Sequence, residues 1–277
     1  MVESGEGGDF GMKEPWKGYT KPFPIWGNLY FVGTEPASTH IVDTGDGLIM
    51  FDSGYQHSLY QVIHNMHLLG LNPLNVKYIL HTHGHIDHMG ATRALVELTG
   101  CKTAIGEQDR EYVNGTLNLS YADELGMEFH ETFEPDILLH DGDEIVLGNT
   151  RVRSMATPGH TPGAMTYYFD VTDGKKTYRA GLHGGMGINT MCREFLDKYH
   201  LSYDCRNQFL SAMDRLAEEK VDIFLGNHMQ HNHTLEKYRR LCEGDKEAFV
   251  GDSEWRAYAI WAKQNLLNMM EKEKKNE

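Results

Sequence analysis

Cysteine is scarce: this chain of 277 residues has four, Cys101, Cys192, Cys205 and Cys242. No two form a Cys-x-x-Cys pair and none lies beside the histidine cluster described below. They read as reduced thiols of a cytoplasmic protein. Positive charge is also short, with 26 Lys and Arg against 40 Asp and Glu and a net charge of -14. Such a balance disfavours a phosphate backbone or an anionic membrane, so neither nucleic acid nor membrane is expected as a partner. No apolar run approaches the roughly 20 residues that span a bilayer. The N-terminus, Met-Val-Glu-Ser-Gly-Glu-Gly-Gly-Asp, has neither the basic segment nor the apolar core of a signal peptide. A cytoplasmic location is the resulting expectation. No Gly-x-Gly-x-x-Gly follows a strand, so a dinucleotide fold has no support. With 40% hydrophobic and 24% charged residues, the composition is that of an ordinary globular protein able to bury a substantial core.

What the chain has in abundance is histidine, and above all in one place. His81-Thr-His83-Gly-His85-Ile-Asp87-His88 puts four histidines and an aspartate into eight residues. It follows Val76–Leu80, a β-branched and aromatic run that reads as a buried strand. The cluster therefore sits on a loop at a strand's C-terminal end, where a rigid sheet commonly carries function. Neutral imidazole and carboxylate both suit a dication such as zinc.

The remaining chain alternates strands and helices. Residues 1–18 are rich in Gly and acid and are expected to be ill-ordered. Pro22–Trp26 reads as an extended lead-in. Strand character follows at Leu29–Val32, His40–Val42 and Leu48–Phe51, the last two joined by a turn with Asp46-Gly47. Asp52, at the end of the third run, either caps the next helix or orients a metal ligand; the residues alone favour the cap. Helices are expected at 59–69 and 91–98, with Gly100 closing the second. A strand at 102–105 and a short helix at 107–113 come next. Residues 114–135 show no period, as in a lid, a binding loop or a surface excursion. Strands are then expected at 144–147, 150–155, 165–170, 177–180 and 221–225, with a helix at 206–220. A last helix begins after Ser253 and carries Trp255, Tyr258, Trp261 and Leu266, a face that packs on the core or on a second subunit. Residues 271–277 read as a solvated charge run.

Three motifs carry a resemblance. His83-x-His85-x-Asp87-His88, Thr157-Pro-Gly-His160-Thr-Pro-Gly163 and Gly226-Asn-His228 occur in that order, each following a strand. Together with Asn28-Leu-Tyr-Phe-Val-Gly33 they resemble the metallo-β-lactamase superfamily, over roughly residues 22–235. The likeness is greatest to the lactamase subclass whose second metal has Asp, His and His ligands. It implies an α/β fold, the αββα four-layer sandwich, with residues 19–277 as one metallo-hydrolase domain bearing a C-terminal helical extension. It also implies two zinc ions per chain. His83, His85 and His160 would hold the first; Asp87, His88 and His228 would hold the second. Asp87 would anchor the metal and orient the nucleophile, a hydroxide made available because zinc lowers the pKa of bound water to about 7. The resemblance also favours the metal-orienting role for Asp52.

The chain departs from the family pattern in two places. Many related hydrolases carry a bridging aspartate after the strand near 177–180, whereas here the run is Arg179-Ala-Gly-Leu-His183-Gly-Gly-Met-Gly187. That absence counts against glyoxalase-like and lactonase-like readings. His183 itself reads as a ligand, a substrate contact or, with a slight edge, a plain loop histidine. After His228, where relatives often have proline, stands Met229, then Gln230-His231-Asn232-His233. His231 and His233 could support the centre or simply be exposed.

The expected function is a zinc-dependent, β-lactamase-like hydrolase that opens a cyclic amide or related carboxyl derivative of a small-molecule substrate. The alternatives are a lactone or thioester hydrolase, or a metal-binding member that does no chemistry. Loops 114–135 and 181–200 are expected to shape the substrate pocket. Oligomeric state is open, a homo-oligomer included.

Overall fold

Among the described residues, twelve short strands, rich in β-branched and aromatic residues, pair into two sheets. The computed structural model describes residues 14–275. Of the stretch expected to be ill-ordered, residues 1–13 lie outside the described residues. Pro15–Gly18 instead forms a 3-10 turn, tied down where Glu35 N–H donates to Gly18 O at 2.8 Å.

The first sheet holds β1 (Phe23–Trp26), β2 (Leu29–Phe31), β3 (His40–Asp43), β4 (Leu48–Phe51), β5 (Val76–Leu80), β6 (Lys102–Gly106) and β7 (Ile137–Leu139), side by side in chain order. Strands β1 to β4 run antiparallel, and β4 to β7 run parallel. The second holds β8 (Glu144–Leu147), β9 (Thr150–Ala156), β10 (Met165–Thr172), β11 (Thr177–Leu182) and β12 (Ile223–Leu225), in the order β12-β11-β10-β9-β8. Only its β11–β12 pair is parallel. The prolyl lead-in is thus an edge strand. It tolerates Pro24 because an edge leaves one side of the backbone unpaired.

The two sheets face each other across a core that includes Phe51, Leu80, Tyr167, Phe169 and Leu225. The Phe51 and Phe169 rings stack across the seam, 4.6 Å apart at 11°. Outside the first sheet lie α1 (Leu59–Leu68), the one-turn α2 (Ile86–Met89) and α3 (Thr92–Thr99). Val62, Met66 and Leu95 of α1 and α3 pack on Ile41, Met50 and Ile79. The short α4 (Arg110–Val113) precedes the aperiodic loop, whose described structure between 114 and 136 is a single 3-10 turn at Asp123–Leu125. The remaining helices are α5 (Arg193–Lys198), α6 (Asp204–Glu218), α7 (Thr234–Cys242) and α8 (Glu254–Lys275), of which α6 and α8 cover the outer face of the second sheet while Tyr238 and Leu241 of α7 pack on the core between the sheets. Phe209, Met213, Leu216 and Trp255 of α6 and α8 pack on Met155, Tyr168 and Phe224. Helix, sheet, sheet, helix is the αββα four-layer sandwich.

The apolar face of α8 is turned to the core. Trp255, Ala259, Ala262 and Leu266 are buried, and Trp255 Nε1–H donates to Leu216 O at 2.8 Å. The helix runs on through Lys275, so much of the terminal charge run is helical.

Candidate metal centre

Strand β5 is buried at its end, and the chain then turns across the top of the first sheet. The first histidine of the cluster turns back into the scaffold. His81 places Nδ1 3.1 Å from Ala104 O and Nε2 2.7 Å from Thr92 Oγ1. The next three point the other way and converge. The His83 ring lies 4.7 Å from that of His85, 4.2 Å from His88 and 4.8 Å from His160. His85 and His160 are 4.5 Å apart, and His88 and His228 are 5.0 Å apart.

His160 comes from the loop after β9 and His228 from the loop after β12. One sheet therefore supplies four of the six side chains and the other supplies two. The donor atoms of His83, His85 and His160 all lie within 4.8 Å of one another, as do those of His83, Asp87 and His88. His228 joins through Asp87 and His88: its Nε2 is 3.4 Å from Asp87 Oδ2 and 3.3 Å from His88 Nε2.

The outer nitrogens of these rings decide what the inner ones can do. A carbonyl or carboxylate can only accept, so each nitrogen facing one must carry the proton. His160 Nδ1–H donates to Gly187 O at 2.8 Å, and His228 Nδ1–H to Pro36 O at 2.9 Å. His88 Nδ1–H donates to Asp52 Oδ2 at 2.8 Å. In neutral His160 and His228 each Nε2 is then left with a lone pair aimed at the cluster, whereas His88 Nε2 faces Asp87 Oδ2 at 3.0 Å and holds a second proton that a metal would displace. His83 Nε2 is buried and has no hydrogen-bond partner among the described residues. An orphaned acceptor of this kind is costly unless an ion or water satisfies it. Burial also holds His83, His85 and His160 below the ordinary histidine range, His160 at about 4, so they stay neutral. Burial opposes a charge on His88 too, but the Asp87 and Asp52 carboxylates outweigh it and lift His88 to about 10. Imidazole lone pairs beside a carboxylate, with one of them unsatisfied, fit a borderline-soft dication.

Two further carboxylates brace the cluster. Asp52 sits in the left-handed region at φ 55° and faces the site rather than a helix end. Its Oδ1 accepts from Thr82 N at 2.7 Å, and its Oδ2 from Thr82 Oγ1 at 2.8 Å as well as from His88. Asp109 was not singled out in the sequence. It is buried just after β6 and accepts from Gly84 N at 2.8 Å, Thr161 Oγ1 at 2.6 Å and Gly163 N at 2.6 Å. Burial pushes its carboxyl up to about 6 against the pull of these donors. In the sequence it is one acid in the first turn of a short helix, which is no signal at all.

A cavity of about 660 Å³ opens over the cluster. Tyr121 and Leu125 reach it from the 114–135 loop, Met186 and Asn189 from the 181–200 loop, and Tyr55 and Gln230 from elsewhere. His231 lines it beside His228, whereas His233 is exposed. His183 is fully buried, with its ring 5.8 Å from Phe224, 5.1 Å from His231 and 5.3 Å from Tyr258. It packs behind the pocket and does not line it.

The sequence profile of the metallo-β-lactamase superfamily matches residues 32–173. The chain belongs to that superfamily. A metallo-β-lactamase from Legionella gormanii, in its native form, superimposes with a TM-score of 0.84 at 26% identity, covering 92% of this chain and 97% of that one. A subclass B3 metallo-β-lactamase of Bradyrhizobium japonicum matches with a TM-score of 0.81 at 24% identity, over 96% and 99% of the two chains. A probable metallo-hydrolase of Burkholderia pseudomallei is 40% identical over 93 residues, which is 33% of this chain and 31% of that protein. The chain thus spans only about a third of that curated relative, against nearly all of the solved lactamases. In architecture the chain is similar to these metallo-β-lactamases over nearly the whole length of each. Among the described residues, no helix is long and apolar enough to cross a membrane.

Proposed function

We propose that the protein is a zinc hydrolase with a binuclear centre that opens a cyclic amide or a related carboxyl derivative. His83, His85 and His160 would hold one ion; Asp87, His88 and His228 would hold the other. The observation that carries this reading is the pair of overlapping donor groups, which share His83 and include its orphaned nitrogen. When bound, zinc supplies Lewis acidity toward a scissile carbonyl and brings the pKa of water near neutrality.

The chain's own residues do the remaining work. Gly187 and Pro36 fix the tautomers of His160 and His228, and Asp52 orients His88 through its Nδ1–H, leaving the Nε2 proton as the one a metal would displace. Asp87 reaches toward both His88 and His228 and supplies the only carboxylate among the six. Tyr55, Tyr121, Leu125 and Met186 form apolar walls that shed water from a bound substrate and strengthen polar contacts there. No carboxylate stands at residues 181–188, which counts against the lactone and thioester alternatives.

The test is hydrolysis of a chromogenic cephalosporin by zinc-loaded protein, with and without a chelator, alongside the zinc content of the same sample. Chelator-sensitive turnover with two zinc ions per chain supports the reading. Two zinc ions without turnover move the substrate to an ester, lactone or other carboxyl compound. Failure to hold zinc removes the binuclear centre.

A further inference from the structure

Behind the centre lies a second cavity of about 260 Å³. Its inner wall is built from the rings of His85, His160, Tyr112 and Phe195, all buried. Its rim is formed by Ser202, Asp204 and Gln208, all exposed. His85 and His160 line this cavity as well as the main pocket.

Size and chemistry narrow what would fit. An apolar cavity of roughly 150 Å³ takes one benzene ring, so this one holds a ring with a short chain. Tyr112, Phe195, Leu196 and Leu201 offer that ring aromatic and aliphatic contact. Asp204 is the one Asp, Glu, Lys or Arg among the described lining residues. Its side-chain partners are the neutral amides of Asn207 and Gln208, at 3.4 and 3.2 Å. An anionic ligand meets no cation here and one carboxylate, in a chain of net charge -14. An ammonium at the rim meets its counter-charge.

We propose that this cavity binds a small aromatic amine, with the ring against His85 and His160 and the ammonium at Asp204, and that its occupancy is linked to metal loading. A bound metal would fix the orientation of both imidazoles, and the ligand would pack on the same two rings. Each event thus alters the affinity of the other by the same factor. The link rests on reading His85 and His160 as metal ligands; the pocket does not.

Cys205 lines the cavity and reports on it. The experiment follows alkylation of the full chain by N-ethylmaleimide, located by peptide mass, with exposed Cys242 as the reference. Phenethylamine and phenylacetate, alike in ring and opposite in charge, are the probes. At ten times its Kd, phenethylamine is expected to slow Cys205 about tenfold. It should leave Cys242 unchanged, and phenylacetate should protect neither. The half-protecting concentration is expected to differ at least about fivefold between zinc-loaded and chelator-stripped protein. Leu201→Trp, which fills the cavity, is expected to abolish protection while Cys205 still reacts. Absence of protection by the amine in the unmodified chain overturns the pocket. Equal protection by both probes overturns the amine class, and equal half-protecting concentrations overturn the link. If the loaded sample holds no zinc, the link falls with the proposed function, and Cys205 protection still decides the pocket.

Discussion

Asp109 Oδ2 accepts a hydrogen bond from Thr161 Oγ1 at 2.6 Å, and through it two loops from different sheets are held together. The same carboxylate takes Gly84 N–H, between His83 and His85, and Gly163 N–H, three residues past His160. It touches none of these histidines, yet it fixes the backbone that presents all three.

A titration follows from that arrangement. The folded carboxyl lies near 6, above its ordinary value of 3.8, because burial outweighs the three donors. A raised value means that stability from this group is full below 3.8 and is lost as pH rises through about 6. Asp109→Asn cannot titrate. The stability of the native chain minus that of the variant, from urea unfolding without zinc, is expected to fall by about 2 kcal/mol between about pH 4.5 and 7. A difference that stays flat or rises rejects the assignment.

Asp52 acts on the other half of the cluster. It orients His88 and pins Thr82, so Asp52→Ala is expected to weaken metal affinity about 10- to 100-fold. Competition with a chromogenic chelator measures this directly. Unchanged affinity would mean that the His88 tautomer is set elsewhere.

Gly185 has no room for a side chain. A Cβ there would stand 1.9 Å from His160 Cδ2 and 2.6 Å from Cγ. Gly185→Ala must displace the imidazole, and a first-ion affinity at least about tenfold weaker is expected. Full affinity in the variant would show that His160 is free to move and still bind.

Asp87 tests the chemistry itself. With zinc loaded, Asp87→Ala is expected to lower hydrolysis of the chromogenic cephalosporin by at least about 100-fold. Zinc content should drop from two ions toward one in the same sample. Undiminished turnover removes Asp87 from the mechanism.

The seam between the sheets should be costly to open. Phe51 is fully buried and stacked on Phe169, so Phe51→Ala is expected to cost about 3–5 kcal/mol by denaturant unfolding. A loss below about 1 kcal/mol would mean that the neighbours collapse into the space.

Much of this architecture was legible in the chain because periodicity and turn chemistry agree. Val76–Leu80 is a strand over the range its β-branched run marks, and Gly100 closes its helix at φ 67°. Elements shorter than a period were not legible. The one-turn helix Ile86–Met89 lies inside the histidine loop, and β7 and α5 offer too few residues to show alternation. The strand expected at 221–225 ends at Leu225 but starts at Ile223 rather than Val221. Within the site, the three motifs mark side chains that the fold brings together. Spacing could not separate His81, which bonds to Ala104 and Thr92, from His83, which faces the cluster. It could not find Asp109 either, whose role is purely spatial. His183 was an open choice that burial decides: a fully enclosed ring has no route to substrate.

The division of the six side chains between the sheets has a kinetic meaning. Residues 83–88 are local to one hairpin-helix-strand unit, but His160 and His228 arrive only with the second half of the chain. Contacts this distant in sequence form late, since the loop between them must be closed first. The six side chains are therefore expected to come together only when the sheets dock, and an ion captured there would act as a latch on a finished molecule rather than as a nucleus for an unfinished one.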